Sequence, residues 1–161
     1  MSDPDRWHFV NFKKIPESVQ KKIISEVLKH RKTQKCTEEK LNVKAITLSE
    51  KDLLFGRAYK NKKGDRFAVA IGIREIKEMP DCNGNEMGIP SAYLIYSNGN
   101  ATDLLQSQEW NYRNLELLEA ADANHDGTSE LFFADYQYNR DGFSVYDFKT
   151  GKLTEYGTSS H

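Results

Sequence analysis

Cysteine is nearly absent: Cys36 and Cys82 are the two in 161 residues. Two are too few for a disulfide scaffold and too few for a zinc site built on cysteine ligands. Both lie in polar stretches, "TQKCTEE" and "PDCNGNE". One disulfide joining the N-terminal part to the later strands and two unrelated free thiols are both open readings. Long apolar runs are missing as well. No stretch approaches the roughly 18 apolar residues of a membrane span. The opening "MSDPDRWHFVNFKK" has neither an apolar core nor a cleavage site, so it is not a signal peptide. The chain reads as cytoplasmic if Met1 is native. It reads as periplasmic or secreted if Met1 replaces a removed signal peptide, with which the abrupt polar "SDPD" is compatible. A basic excess is absent too: the net charge is −1 and the pI about 6.4. That argues against a nucleic-acid partner. No nucleophile elbow, P-loop, dinucleotide fingerprint or His-Glu-x-x-His occurs, and His8, His30, His125 and His161 lie in separate segments.

What is present suits a single domain over 1–161 with an aromatic core. Hydrophobic residues make up 38 %, and eight Tyr, eight Phe and two Trp supply bulk. "WHFVNF" is a short strand or an irregular lead-in. "IPESVQKKIISEVLKHRK" then predicts a helix, because Ile15, Val19, Ile23, Ile24, Val27 and Leu28 fall on one face. Pro16 suits its first turn, and Lys29, His30, Arg31 and Lys32 suit the negative end of its dipole, or an anionic partner. Residues 33–42 are polar, closing a helical N-terminal segment over 1–42.

From 43 to 156 the period changes to alternation. Strands are expected at 43–48, 52–59, 66–76, 91–97, 114–122, 130–138, 143–149 and 152–156. The segment 114–122 could also be a short helix and is read as a strand. "MPDCNGNEMGIP" breaks regular structure, and "NGN", "NRDG" and "KTG" are tight turns. The expected fold class is α+β: an N-terminal helix packed on a largely antiparallel β-sheet meander.

A weak internal repeat runs through the strands. "GDRFAVAIG" from Gly64 matches "GTSELFFAD" from Gly127, and "YLIYSNGNATDLL" matches "FSVYDFKTGKLTEY" with Tyr96 opposite Tyr146. The spacing is longer in the first copy by about the length of "MPDCNGNEMGIP". The pattern suits two blade-like repeat units. Any two hairpins of Tyr-rich strands would also look alike.

The most chemical spacing lies in "DANHDGTSEL". Asp122, Asn124 and Asp126 alternate, Gly127 permits a sharp turn, and Glu130 follows. Calcium takes six to eight oxygen ligands, which a wrapping loop supplies at alternate positions. An EF-hand would need glutamate where Phe133 stands, and flanking helices where "LFFADYQY" reads as a strand. The pattern D-x-N-x-D-G-x-x-E before a hydrophobic strand instead resembles FG-GAP or VCBS-type repeats of integrin-like β-propellers. That resemblance implies a calcium ion held by Asp122, Asn124, Asp126, the Thr128 carbonyl and Glu130. A metal-free Asn/Asp turn is the alternative. Tyr59, Asn61, Lys63 and Phe67 occupy the matching places of the first copy, which would hold no metal. Propellers need about four or more blades, so a chain with room for two is not a closed propeller.

The expected function is a non-enzymatic, protein-binding domain with a structural calcium ion. By size and lack of catalytic motif it suits an inhibitor or immunity-type protein that blocks a partner enzyme. The alternative is a metal-dependent hydrolase with an unmarked carboxylate site, for example Asp135 with Asp141 or Asp147. Trp110 and Tyr112 are candidate partner contacts, or core, and His125 is expected to be a solvated loop residue.

Overall fold

The computed structural model describes residues 5–30, 48–73, 91–105, 113–137 and 140–160. Cys36, Cys82, Trp110, Tyr112, His161, the end of the basic cluster at Arg31 and Lys32, and most of the strand expected at 43–48 lie outside them. Leu48, the last residue of that segment, is described and is buried, but not in a strand.

The chain begins with strand β1 (His8–Val10), a 3-10 turn (Phe12–Lys14) and helix α1 (Glu17–His30). The Pro16 carbonyl accepts the first helical N–H bonds, from Val19 and Gln20. Val19, Ile23 and Val27 recur every four residues and are buried, as their periodicity predicts. Strands β2 (Leu53–Lys60), β3 (Phe67–Ile73), β4 (Ala92–Ser97) and β5 (Asn100–Asp103) join β1 in a five-stranded antiparallel sheet. Strands β6 (Arg113–Ala121), β7 (Glu130–Gln137), β8 (Arg140–Asp147) and β9 (Lys152–Ser160) form a second, four-stranded one. The expected α+β class holds, with one helix among the described residues and no closed barrel. The meander forms two stacked sheets, one for each of the two expected repeat units.

The division follows from the central strands. In β3 and β4 both side-chain parities are apolar, so both faces must be covered. Phe67, Val69, Ile71, Ala92 and Leu94 face α1 and pack with Ile15, Val19, Ile23 and Val27. Ala68, Tyr93 and Ile95 face the other way and pack against Leu115, Leu117, Leu131, Phe133 and Tyr146 of the second sheet. The layers are therefore helix, sheet, sheet. Phe148 joins them at one end: Trp7 stacks on it at 5.7 Å, and the Arg66 guanidinium lies 4.8 Å from its ring centre.

The sheets share a plan. β3 and β7 each begin three residues after a positive-φ glycine, Gly64 and Gly127. Tyr96 and Tyr146 are each the penultimate residue of their strand. The structure changes one detail of the match. Lys60 pairs Phe67 and Ala121 pairs Glu130, so the first loop is shorter than the second. Asn61, not Tyr59, then occupies the place of Asp122. Its side-chain oxygen accepts from the N–H groups of Asp65 and Arg66, four and five residues on, as Asp122 accepts from Asp126 and Gly127.

Asn61 is fully buried, and its amide nitrogen donates to Asp5 and Asp65. Two donors and two acceptor sites are all filled. Asn61→Leu should therefore destabilise the fold by about 2 kcal/mol, since buried Asp5 and the N–H groups of Asp65 and Arg66 lose their bonds at once. Urea unfolding of the variant checks this, and an unchanged midpoint would contradict it.

Candidate functional site

The loop 122–129 is shaped by its own side chains. Asp122 and Asn124 both accept from the Asp126 N–H at 2.9 Å, so their oxygens converge on one point. Asp122 also takes the Gly127 N–H, and Asp126 takes the Thr128 N–H, each at 2.9 Å. Short Asx side chains bond backbone donors a few residues on in this way, which is why aspartate and asparagine alternate here. Two residues have left-handed backbone, His125 at φ 61° and Gly127 at φ 85°. Asparagine, aspartate and histidine tolerate that region better than other residues with a Cβ, and glycine best of all. His125 is exposed, as expected of a loop histidine.

Glu130 closes the loop from the first position of β7. It is buried and accepts from the Ala123 N–H at 2.9 Å and the Asn124 side-chain amide at 2.8 Å. Lys149, in the β8–β9 turn, lies 3.8 Å from Asp126. Asp122, Asn124, Asp126 and Glu130 are thus linked by hydrogen bonds around one turn. Their donors are all hard oxygens, the chemistry calcium takes. In this arrangement the oxygens are turned to N–H groups of the loop itself, and no three His, Cys, Asp or Glu among the described residues gather as a ligand group.

The paired-carboxylate expectation is corrected by the register. Asp135 faces the first sheet, while Asp141 and Asp147 lie at positions of the opposite parity on β8. Asp135 is committed to an internal network. It accepts from Arg113 Nε at 3.0 Å, from Arg113 Nη2 at 2.5 Å and from Ser144 Oγ at 2.6 Å. Glu155 holds the same Arg113 nitrogen from β9 at 2.8 Å. Asp147 instead caps its own turn. N–H groups of Lys149 and Thr150 and the Thr150 hydroxyl point at it, and these bonds, led by the Lys149 N–H, hold its carboxyl below the ordinary value.

One feature escaped the sequence reading. The face of the second sheet turned away from the first carries Phe132, Tyr136, Phe143, Val145 and Tyr156, none of which belongs to either core cluster. Tyr136, Phe143 and Tyr156 are 45 %, 42 % and 48 % exposed. Phe143 and Tyr156 stack at 5.3 Å. Gly157 follows Tyr156 with left-handed backbone, φ +57°, which favours glycine there. The signal was the double parity of "LFFADY" and "FSVYDF": a strand with one wet face should alternate apolar and polar, and these do not.

No family model matches the chain, and no curated protein or solved structure matches it. No helix among the described residues is long and apolar enough to cross a membrane.

Proposed function

We propose that this chain is a non-enzymatic protein-binding domain, of inhibitor or immunity type, with one structural calcium ion in the 122–130 loop. The observation that carries the binding role is the exposed aromatic face of the second sheet. Contiguous apolar surface on a soluble domain marks interaction sites, and aromatic residues dominate binding hot spots. A partner enzyme is the expected occupant.

Asp122, Asn124, Asp126, the Thr128 carbonyl and Glu130 would hold the ion. Calcium bound there supplies positive charge that neutralises the clustered carboxylates. The chain's own part is to fix the turn: Asp122 and Asn124 share the Asp126 N–H, and Glu130 anchors the loop to the start of β7. A single modest site suits compartments rich in calcium outside the cytoplasm.

Calorimetric titration of calcium into chelator-treated protein should show one site with Kd of about 0.1–1 mM. Calcium at about a hundredfold excess over Kd should add about 2.7 kcal/mol to unfolding stability. Asp126→Ala should weaken binding roughly tenfold by removing one charged ligand. No heat at millimolar calcium, together with an unchanged melting temperature, would overturn the metal assignment.

A further inference from the structure

The two matching loops carry opposite charge. Between its anchor Asp122 and its glycine, Gly127, the second loop places Asn124 and Asp126. Between Asn61 and Gly64 the first places Lys62 and Lys63. Both lysines are exposed, and a Cβ at Gly64 would meet nothing, so the loop tip is open. Lys60 ends β2 and stands opposite His8 of β1. Arg6 is exposed beside the loop, because its neighbour Asp5 is bonded to Asn61. Among the described residues, Arg6, Lys60, Lys62 and Lys63 have no carboxylate at ion-pair distance. The N–H groups of Lys62 and Lys63 have no acceptor among them either.

The carboxylates of this corner are already engaged. Asp5 is 3 % exposed and is shared by Asn61 and Arg66 at 2.8 Å and 3.0 Å. Asp65, the one outward carboxylate of the loop, accepts from the Asn61 amide nitrogen at 2.7 Å. Asp147, next to Phe148, is bonded into its own turn. Arg66 is taken up by Asp5 and the Phe148 ring. Four unpaired cations thus share one corner of a chain whose net charge is −1.

We propose that this corner, Arg6 with Lys60, Lys62 and Lys63, docks an acidic segment of a partner protein. The inference rests on the protein-binding reading above and adds a second surface to it, apart from the aromatic face. Uncompensated cations at neighbouring positions raise a local positive potential that steers and selects carboxylates. The N–H groups at the loop tip add donors for a carboxylate that lands there, and hydrogen bonds to an ionised acceptor are the stronger kind. A nucleic acid fits worse. Its phosphates run on beyond four cations, and the adjoining turn leads through Lys149 to Asp126 of the acidic loop. An acidic protein segment can end within the patch.

The test titrates the full chain into a fluorescent glutamate-rich peptide of about ten residues, followed by anisotropy, beside a single-stranded oligonucleotide of about equal charge. Peptide binding should appear at about 20 mM salt and fade by about 300 mM, as screening shortens the reach of charge. Lys62→Glu with Lys63→Glu should weaken it by about tenfold or more. Lys13→Glu with Lys14→Glu makes the same change of net charge in the 3-10 turn beyond the other end of β1. That second pair should weaken the peptide by less than about twofold. Far-UV circular dichroism and the melting temperature report whether both variants fold. Equal weakening by the two pairs would reduce the effect to net charge and overturn the site. A peptide that fails to bind the unaltered chain at low salt would overturn it too. Tighter binding of the oligonucleotide, lost with Lys62 and Lys63, would replace the protein partner by a nucleic acid. Each of these outcomes removes the corner while leaving the protein-binding reading, carried by the aromatic face, standing.

Discussion

Phe133→Ala should destabilise the protein by about 4 kcal/mol, the middle of the range for truncating a buried aromatic. Phe133 is fully buried between the two sheets and meets Tyr93 edge to face at 4.9 Å. Its loss removes apolar burial, leaves a cavity, and breaks an aromatic pair that adds roughly 1 kcal/mol beyond area alone. The cavity would be lined by Leu117, Leu131, Ile95 and Tyr93, an apolar setting in which water finds few partners. Burial already holds the Tyr93 phenol well above its usual 10.0, helped by the nearby Tyr59. The effect is a large share of a typical domain's total stability. Phe132→Ala, one residue away but on the outer face, should cost only about 1 kcal/mol, because the ring is already partly in water. Urea unfolding of both variants checks the pair, with the midpoint falling and the slope constant. Equal losses would mean that the register of β7 is wrong.

Asp135→Ala should cost about 3 kcal/mol. Arg113 and Asp135 side chains are 8 % and 3 % exposed, and removing one member of a buried pair leaves the other charge under-compensated. Glu155 remains on Arg113 and softens the loss, but it is itself partly exposed. Ser144, fully buried, also loses its acceptor. The double variant Arg113→Met with Asp135→Leu should recover most of the stability, because apolar groups of similar size carry no desolvation cost. A double variant worse than Asp135→Ala would show that the network is worth more than its replacement by apolar packing.

The helix and most strand positions were legible because local periodicity reports burial. Val19, Ile23 and Val27 mark the helix by spacing alone, and β7 opens at Glu130, where the strand is expected. The strand β6 was harder. "RNLELLEAA" is rich in good helix formers, and only its pairing with β7 settles it. The "NRDG" turn was placed too late: Gln137 pairs Arg140, so Arg140–Gly142 belongs to β8, where it keeps Phe143 opposite Ala134. The repeat from Gly64 and Gly127 made two units legible, but not which faces stack, since that is decided by distant side chains. For the same reason nothing in the sequence linked Arg113 to Asp135 and Glu155. The loop at 122–130 could be read because its hydrogen bonds span only two to seven residues.

Every strand in each sheet is bonded only to strands next to it in sequence, and the two sheets come from separate stretches, His8–Asp103 and Arg113–Ser160. In the second sheet every pairing therefore closes a short loop, which favours rapid ordering of β structure that is usually slow to form, whereas β1 reaches β2 only across helix α1. The second stretch can assemble as a cooperative unit of hairpins once Arg113 is reached. Contacts such as Tyr93 with Phe133 come last, when one finished layer settles on another. The order of events in folding is thus written in the connectivity: neighbours first, layers afterwards, with the intersheet core as the latch.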